Sequence, residues 1–294
     1  MPGKIFNSKK TAFSCRIICI TALFVFSFLP ICACNVDVLG TFRSNNLNDR
    51  LKEKNNLKLL SAEGWASMSL TDEFSFIVLA DTHLEGGNAY GLEKLKDAIS
   101  ANNAIPANSE IKFAVFAGDV TQYGSRTDLN KFIEIAKSLG VPCYPVIGNH
   151  DIYFNDWSAW KDLIGSTRYR IDAGGATLFI LDSANAFFGK DQLNWLDSEL
   201  KSAHGRVFVF THSNLFIDSQ MGIQQLADVR ECAKICSILK NRCDIMFMGH
   251  QHKQGLHEAG GVQYLSVESF KDSGTYCLVT VKKSGKPGYR FVKL

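Results

Sequence analysis

The chain alternates between short apolar runs and amphipathic stretches over most of its length. "FSFIVLADTH" from Phe74 is an apolar run that ends in polar residues, and "GLEKLKDAISANN" after it has helical spacing. "IKFAVFAGD" repeats the event. In the following "RTDLNKFIEIAKSLG", Leu129, Phe132, Ile133, Ala136 and Leu139 fall at helical spacing and Gly140 is the stop. "CYPVIGNHD" is a third strand ending the same way. "TLFILDS" leads to the helix "KDQLNWLDSELKSA", "RVFVFTH" leads to "GIQQLADVRECAKICSILK", and "DIMFMGHQH" follows. The tail, "VQYLSV", "TYCLVTV" and "YRFVKL" with "KSGKPG" as a turn, reads as strands without helices. Alternating strands and helices predict an α/β domain with a largely parallel central sheet, and the tail is the expected source of a second sheet.

The N-terminus breaks this pattern. Residues 1–16 carry Lys4, Lys9, Lys10 and Arg16 and no acid, and "IICITALFVFSFLPICAC" then runs apolar. A basic region followed by a short apolar one is the pattern of a secretory signal. From Ile17 to Ala33 it would span roughly 25 Å as a helix, short for a membrane span, with Pro30 near its end. "ICAC" resembles a bacterial lipoprotein cleavage box, with Ile31, Ala33 and Cys34 in place and Cys32 an unusual middle residue. The resemblance implies cleavage before Cys34 and lipid on its sulfur and new amino group; the alternative is an uncleaved signal anchor. Both put the protein in the cell envelope, membrane-anchored outside the cytoplasm. The expected organisation is a signal over 1–33, a polar, asparagine-rich tether over 34–70 and one catalytic domain over 71–294.

Removing the leader changes the charge balance. Taking its four basic side chains from 32 leaves 28 against 29 acidic ones, a formal charge of −1. The basicity belongs to the leader, and no nucleic-acid partner is expected. Of nine cysteines, Cys15, Cys19 and Cys32 fall in the leader and Cys34 is the lipid candidate. Cys143, Cys232, Cys236, Cys243 and Cys277 remain, with no CxxC pair for zinc, and buried thiols are the expectation.

The chemistry lies just past the strands. Asp81 and His83 follow "IVLA"; Asp119 follows "AVFAG"; Asn149, His150 and Asp151 follow "PVIG". His212 follows "VFVFT", and His250 and His252 follow "MFMG", with Gly249 expected to let the backbone turn. Each motif alone is ordinary: a helix cap, a tight turn, a structural histidine. Together they bring five of the seven histidines to strand ends, where ligands bind in α/β sheets.

The ordered set "DTH…GD…GNHD…TH…GHQH" resembles the calcineurin-like metallophosphoesterases, or binuclear metallophosphatase superfamily, from about Phe74 to His252. "LDSANAFFGKDQLNWL" also resembles a stretch common between the third and fourth motifs. The resemblance implies a four-layer αββα sandwich of two mixed β-sheets flanked by helices, with two metals at the strand ends. It implies Asp81, His83 and His252 as ligands of one metal, Asn149, His212 and His250 as ligands of the other, and Asp119 as the bridge. His150 corresponds to the family's substrate-facing histidine, and Asp151 would orient it. The donor set suits Mn, Fe or Zn, and two such ions would hydrolyse a small phosphate ester by hydroxide attack.

Purple acid phosphatases of this superfamily carry a tyrosine three residues after the bridging aspartate; here Gln122 stands there and Tyr123 one later, which argues against a purple iron–tyrosinate enzyme. The motif order is most similar to the cyclic-nucleotide and glycerophosphodiester branch, which favours phosphodiesters. The alternatives are a phosphomonoesterase or nucleotidase of the same fold, and a surface lipoprotein that binds a partner without catalysis. Tyr153, Phe154 and Trp157 read either as a stacking surface for a base or sugar or as core.

Overall fold

The computed structural model describes residues 47–53, 57–58, 70–105, 110–152, 157–216 and 226–294. The signal, Cys34, most of the expected tether, Tyr153 and Phe154 lie outside the described residues. Among the described residues no helix is long and apolar enough to cross a membrane.

Two sheets form the centre. The first runs in the order β11 (Gly288–Lys293), β10 (Thr275–Val281), β1 (Phe74–Leu79), β2 (Ile111–Ala117) and β3 (Cys143–Val146). In it β1, β2 and β3 are parallel, and β10 and β11 are antiparallel additions. The second runs β4 (Tyr169–Asp172), β5 (Ala176–Ile180), β6 (Arg206–Phe210), β7 (Ile245–Met248), β9 (Val262–Ser266) and β8 (Gly255–Ala259). Its inner strands β5, β6, β7 and β9 are parallel, with β4 and β8 as antiparallel edges.

The strands read as nearly continuous apolar runs because both faces of each sheet are covered. Alternation divides each strand between two cores. Phe76, Phe113, Phe208, Phe210 and Phe247 point into the space between the sheets, where the Phe76 and Phe113 rings stack at 4.6 Å and Phe76 meets Phe208 edge-on at 4.9 Å. Ile77, Leu79 and Phe116 face the other way. They pack with α2 (Leu95–Asn103) and α3 (Arg126–Ser138), whose inward residues include Ile99, Leu129 and Phe132. Val209, Met246 and Met248 pack against α5 (Lys190–Glu199) and α6 (Val229–Leu239). Helix, sheet, sheet, helix is the expected four-layer sandwich. Ser125 caps α3 by accepting from Asp128 N, and Asp228 caps α6 through Arg230 N.

Two expectations need correction. The tail does not make the second sheet by itself. β8 and β9 extend the sheet begun by β4–β7, while β10 and β11 return to the first sheet beside β1. The segment read as a polar tether is docked where it is described. In α1 (Leu47–Arg50) the side chain of Arg50 is fully buried, donating to both Asp182 oxygens at 2.7 and 2.8 Å.

The five cysteines of the domain are all free thiols; Cys143, Cys243 and Cys277 are buried as expected, and Cys232 and Cys236 are partly exposed.

Candidate metal centre

The site forms where the carboxyl ends of both sheets meet. Past β1 and β2 the chains keep pairing as they leave the sheet: Asp81 N donates to Gly118 O and His83 N to Asp119 O. Cross-sheet bonds then close the two halves together. His212, beyond β6, turns its Nδ1 to Ala117 O at 3.0 Å. The short helix α7 (Phe270–Ser273), which follows β9, sets Phe270 N on Ala80 O and Lys271 N on Asp81 O.

The backbone here is unusual. Asp81, His83, Asp119, His250 and His252 all have positive φ, between 45° and 71°, a region non-glycine residues rarely adopt. Such conformations cost about 1–3 kcal/mol each and persist where surrounding contacts impose them. Gly249, expected to provide the turn after β7, is not at positive φ; His250 makes that turn. A Cβ on Gly249 would lie 2.7 Å from Ala117 O, so glycine is needed there for close approach.

Three overlapping groups of potential ligands result: Asp81, His83 and His252; His83, Asp119 and His150; and Asp119, His212 and His250. In the first, His252 Nε2 lies 3.5 Å from Asp81 Oδ1 and 3.4 Å from His83 Nε2. In the last, His212 Nε2 lies 2.9 Å from Asn149 Oδ1, 3.1 Å from His250 Nδ1 and 3.2 Å from Asp119 Oδ2. Asp119 Oδ2 is also 3.9 Å from His83 Nε2, which makes Asp119 common to both ends.

One proton on His212 Nε2 cannot serve three acceptors, since its Nδ1 already faces Ala117 O. A cation satisfies the same geometry. Ligand atoms held at about 2.0–2.2 Å from one ion lie about 2.8–3.6 Å from each other. Most of the separations above fall in that range, so the residues present fit metal ions.

Charges are strongly coupled. Burial raises the Asp119 and Asp81 carboxyls, but surrounding imidazoles outweigh it, with His212 acting on both, and hold both below the usual range, Asp119 well below. Burial also works against His212 and His252. Asp119 and Asp81 outweigh it at His212, and Asp81 and Asp272 do so at His252, each being pushed up to about 9. His250, buried beside His212, is pushed down to about 4, and burial lowers His83.

The outer contacts include residues the sequence motifs do not reveal. Asp272 Oδ2 meets His252 Nδ1 at 2.8 Å, leaving Nε2 to face Asp81 and His83. The Nδ1 of His150 lies 2.9 Å from Gln122 O, and its backbone N donates to Asp119 Oδ1 at 2.8 Å. The resemblance implies that Asp151 orients His150. Its buried carboxylate accepts from Gly148 N, Thr121 N, Thr121 Oγ1 and Val120 N, tying the loop after β3 to the loop after β2. The His150 ring meets Gln122 twice at Nδ1, at the carbonyl and, at 3.4 Å, at the side-chain Nε2. Burial, with the Asp119 charge next, raises Asp151 to about 7 against those N–H bonds.

Tyr123 is exposed and its hydroxyl bonds Glu85, away from the ligands. Trp157 is half-buried, packing against the α2/α3 core with Lys161 over its ring.

The calcineurin-like phosphoesterase profile matches residues 74–254, from the start of β1 to the loop after His252. The chain belongs to that family and is a hydrolase. It is 28% identical over 189 residues to a probable cyclic nucleotide phosphodiesterase of Fibrobacter succinogenes, covering 60% of this chain and 72% of that one. It is 24% identical over 201 residues to a probable glycerophosphodiester phosphodiesterase of Arcobacter nitrofigilis, covering 60% and 71%. Among solved structures, a dimetal phosphatase from Danio rerio shares the fold at a TM-score of 0.58 and 15% identity, over 75% of this chain and 98% of that one.

Proposed function

We propose that this chain is a two-metal phosphoesterase with a preference for phosphodiesters. The observation that carries the reading is the convergence on Asp119, which stands within 3.2 Å of His212 and 3.9 Å of His83 and so joins two ligand groups. On this reading Asp81, His83 and His252 hold one ion, Asn149, His212 and His250 the other, and Asp119 bridges them. Bound cations of the Mn, Fe or Zn class would supply charge for the phosphoryl oxygens and the acidity that makes water a nucleophile at neutral pH. The remaining work falls to the protein. Asp272 and the Ala117 carbonyl fix the tautomers of His252 and His212. His150, beside Asp119 and perpendicular to His83 with ring centroids 4.7 Å apart, meets the substrate and protonates the departing oxygen. The diester preference is supported by the two relatives, both described as phosphodiesterases.

Metal analysis followed by turnover of bis-p-nitrophenyl and p-nitrophenyl phosphate tests the reading. Two ions per chain and faster diester hydrolysis are expected. Faster monoester hydrolysis would move the chain to the monoesterase alternative. Bound metal without turnover of either ester would make it a binding protein.

We also propose that the chain is exported and anchored through lipid on Cys34. The basic-then-apolar leader and the "ICAC" box support this. Palmitate incorporation that persists unchanged in Cys34→Ser would exclude that residue as the site.

A further inference from the structure

Helix α7 sends two adjacent charged side chains toward the candidate centre. Asp272 goes to His252. Lys271 goes to the other side, toward His150. Its backbone N is fixed on Asp81 O at 3.2 Å. Its Nζ donates to Gln122 Oε1 at 3.3 Å and sits 5.2 Å from the centre of the Tyr90 ring. The other end of the same amide, Gln122 Nε2, lies 3.4 Å from His150 Nδ1, so one side chain separates Lys271 from the proposed acid.

Some lysines here have counter-ions, while Lys58 donates to the Lys161 and Asp162 carbonyls. Lys52, Lys112, Lys131 and Lys161 each rest on a carboxylate. Among the described residues no carboxylate pairs with Lys271; a neutral amide and an aromatic face hold it instead. Those partners restrict the side chain without neutralising it. A half-buried ammonium kept in place and unneutralised beside a site for anions is suited to receive one.

The geometry points to Lys271 as a substrate-binding residue that takes the non-esterified phosphoryl oxygens and thereby sets how well the site accepts a doubly charged monoester relative to a singly charged diester. The inference rests on the phosphoesterase reading and adds a specificity determinant to it. A point charge favours the ligand with more charge, so Lys271 works for the monoester more than for the diester.

The test uses the metal-loaded full chain and the Lys271→Met and Lys271→Arg variants, with metal content measured alongside. Lys271→Met should lose about tenfold in kcat/KM on p-nitrophenyl phosphate and less than about threefold on bis-p-nitrophenyl phosphate. Inorganic phosphate, followed by calorimetry, should bind it about tenfold more weakly. Lys271→Arg should recover most of both losses. Equal losses on the two esters would overturn the inference, because a residue acting only by positioning Gln122 and His150 would change both alike. Unchanged phosphate binding would overturn it as well. A wild-type chain that hydrolyses both esters while Lys271→Met leaves their ratio intact removes this inference alone. A wild-type chain that hydrolyses neither, yet binds phosphate through Lys271, removes the hydrolytic reading and keeps the anion site.

Discussion

At His150 the contact at Nδ1 decides what the ring can do. With Nδ1 held by the Gln122 carbonyl, proton exchange with substrate is left to Nε2. A protonated Nε2 matters most where the departing oxygen is a poor leaving group. His150→Ala should keep near-normal metal content and lose about 10²–10⁴-fold on an alkyl phosphate ester, with a smaller loss on a nitrophenyl ester. Equal losses would leave His150 a plain phosphate-binding residue. The neighbouring imidazoles set a pH dependence. His212 and His252, both raised to about 9, carry protons at pH 7 that a cation must displace. Metal affinity should therefore strengthen as pH rises from 7 toward 9 and weaken as it falls. Loading at pH 7 should release about two protons per chain, read from the buffer dependence of the calorimetric heat. Release of none would contradict the assignment of those two histidines as ligands.

The elements place these side chains, and the tightest constraint comes from the glycines packed among them. A Cβ on Gly118, at φ 92°, would stand 2.2 Å from His212 Nδ1, where the ring meets Ala117 O. Gly118→Ala should destabilise the fold by about 1–3 kcal/mol in a urea titration and lower metal occupancy by displacing His212. A variant of unchanged stability and metal content would show that this crowding can be relaxed. The principal strands and helices were legible from their apolar runs and helical spacing, α3 and α5 starting at the residues expected, whereas α6 starts at Val229, past the Gly222 read as its beginning. The edge strand β8 was not, since its side chains are mostly exposed and carry no alternation. The six-residue helix α4 (Ser158–Leu163) was too short to show a period. The ligand candidates were legible as polar residues after apolar runs. Asp272 and Lys271 were not, because only the bonds from α7 back to Ala80 and Asp81 bring them beside the site; Gln122 was not, because it meets His150 through its backbone carbonyl. The loop-tying bonds of Asp151 were not legible either, since three of them come from backbone N–H groups, which no side-chain motif displays.

Across the whole molecule, the sandwich includes chain that precedes its first strand. Arg50 and Asp182 lie 132 residues apart and are both fully buried in a bidentate pair. Asp182 begins the loop whose Ser183 accepts from Thr211 Oγ1 and Ser213 N, on either side of His212. Removing only the cation would strand a buried carboxylate. Arg50→Met should cost about 3–5 kcal/mol, and adding Asp182→Asn should recover part of it. A chain beginning at residue 71 should show a similar loss in the same thermal or urea melt. If Arg50→Met is as stable as the parent, the docked segment contributes nothing to the domain.

The left-handed backbone at the ligand positions sets folding and chemistry against each other. Asparagine and glycine adopt that conformation more readily than histidine or aspartate, so drift toward either relaxes strain while weakening or deleting a ligand. His250 is the cleanest position to see this: at φ 71° and with its imidazole pushed down to about 4, it is uncharged at neutral pH, and no charge is lost on replacement. His250→Asn should melt higher than the parent in chelator, by about 0.5–1 kcal/mol, while binding metal more weakly. A lower melting point would mean that packing, and not backbone strain, dominates there. With the higher melting point expected, stability alone does not preserve this site, and lineages released from selection for the reaction would be expected to lose its ligands while keeping the sandwich intact.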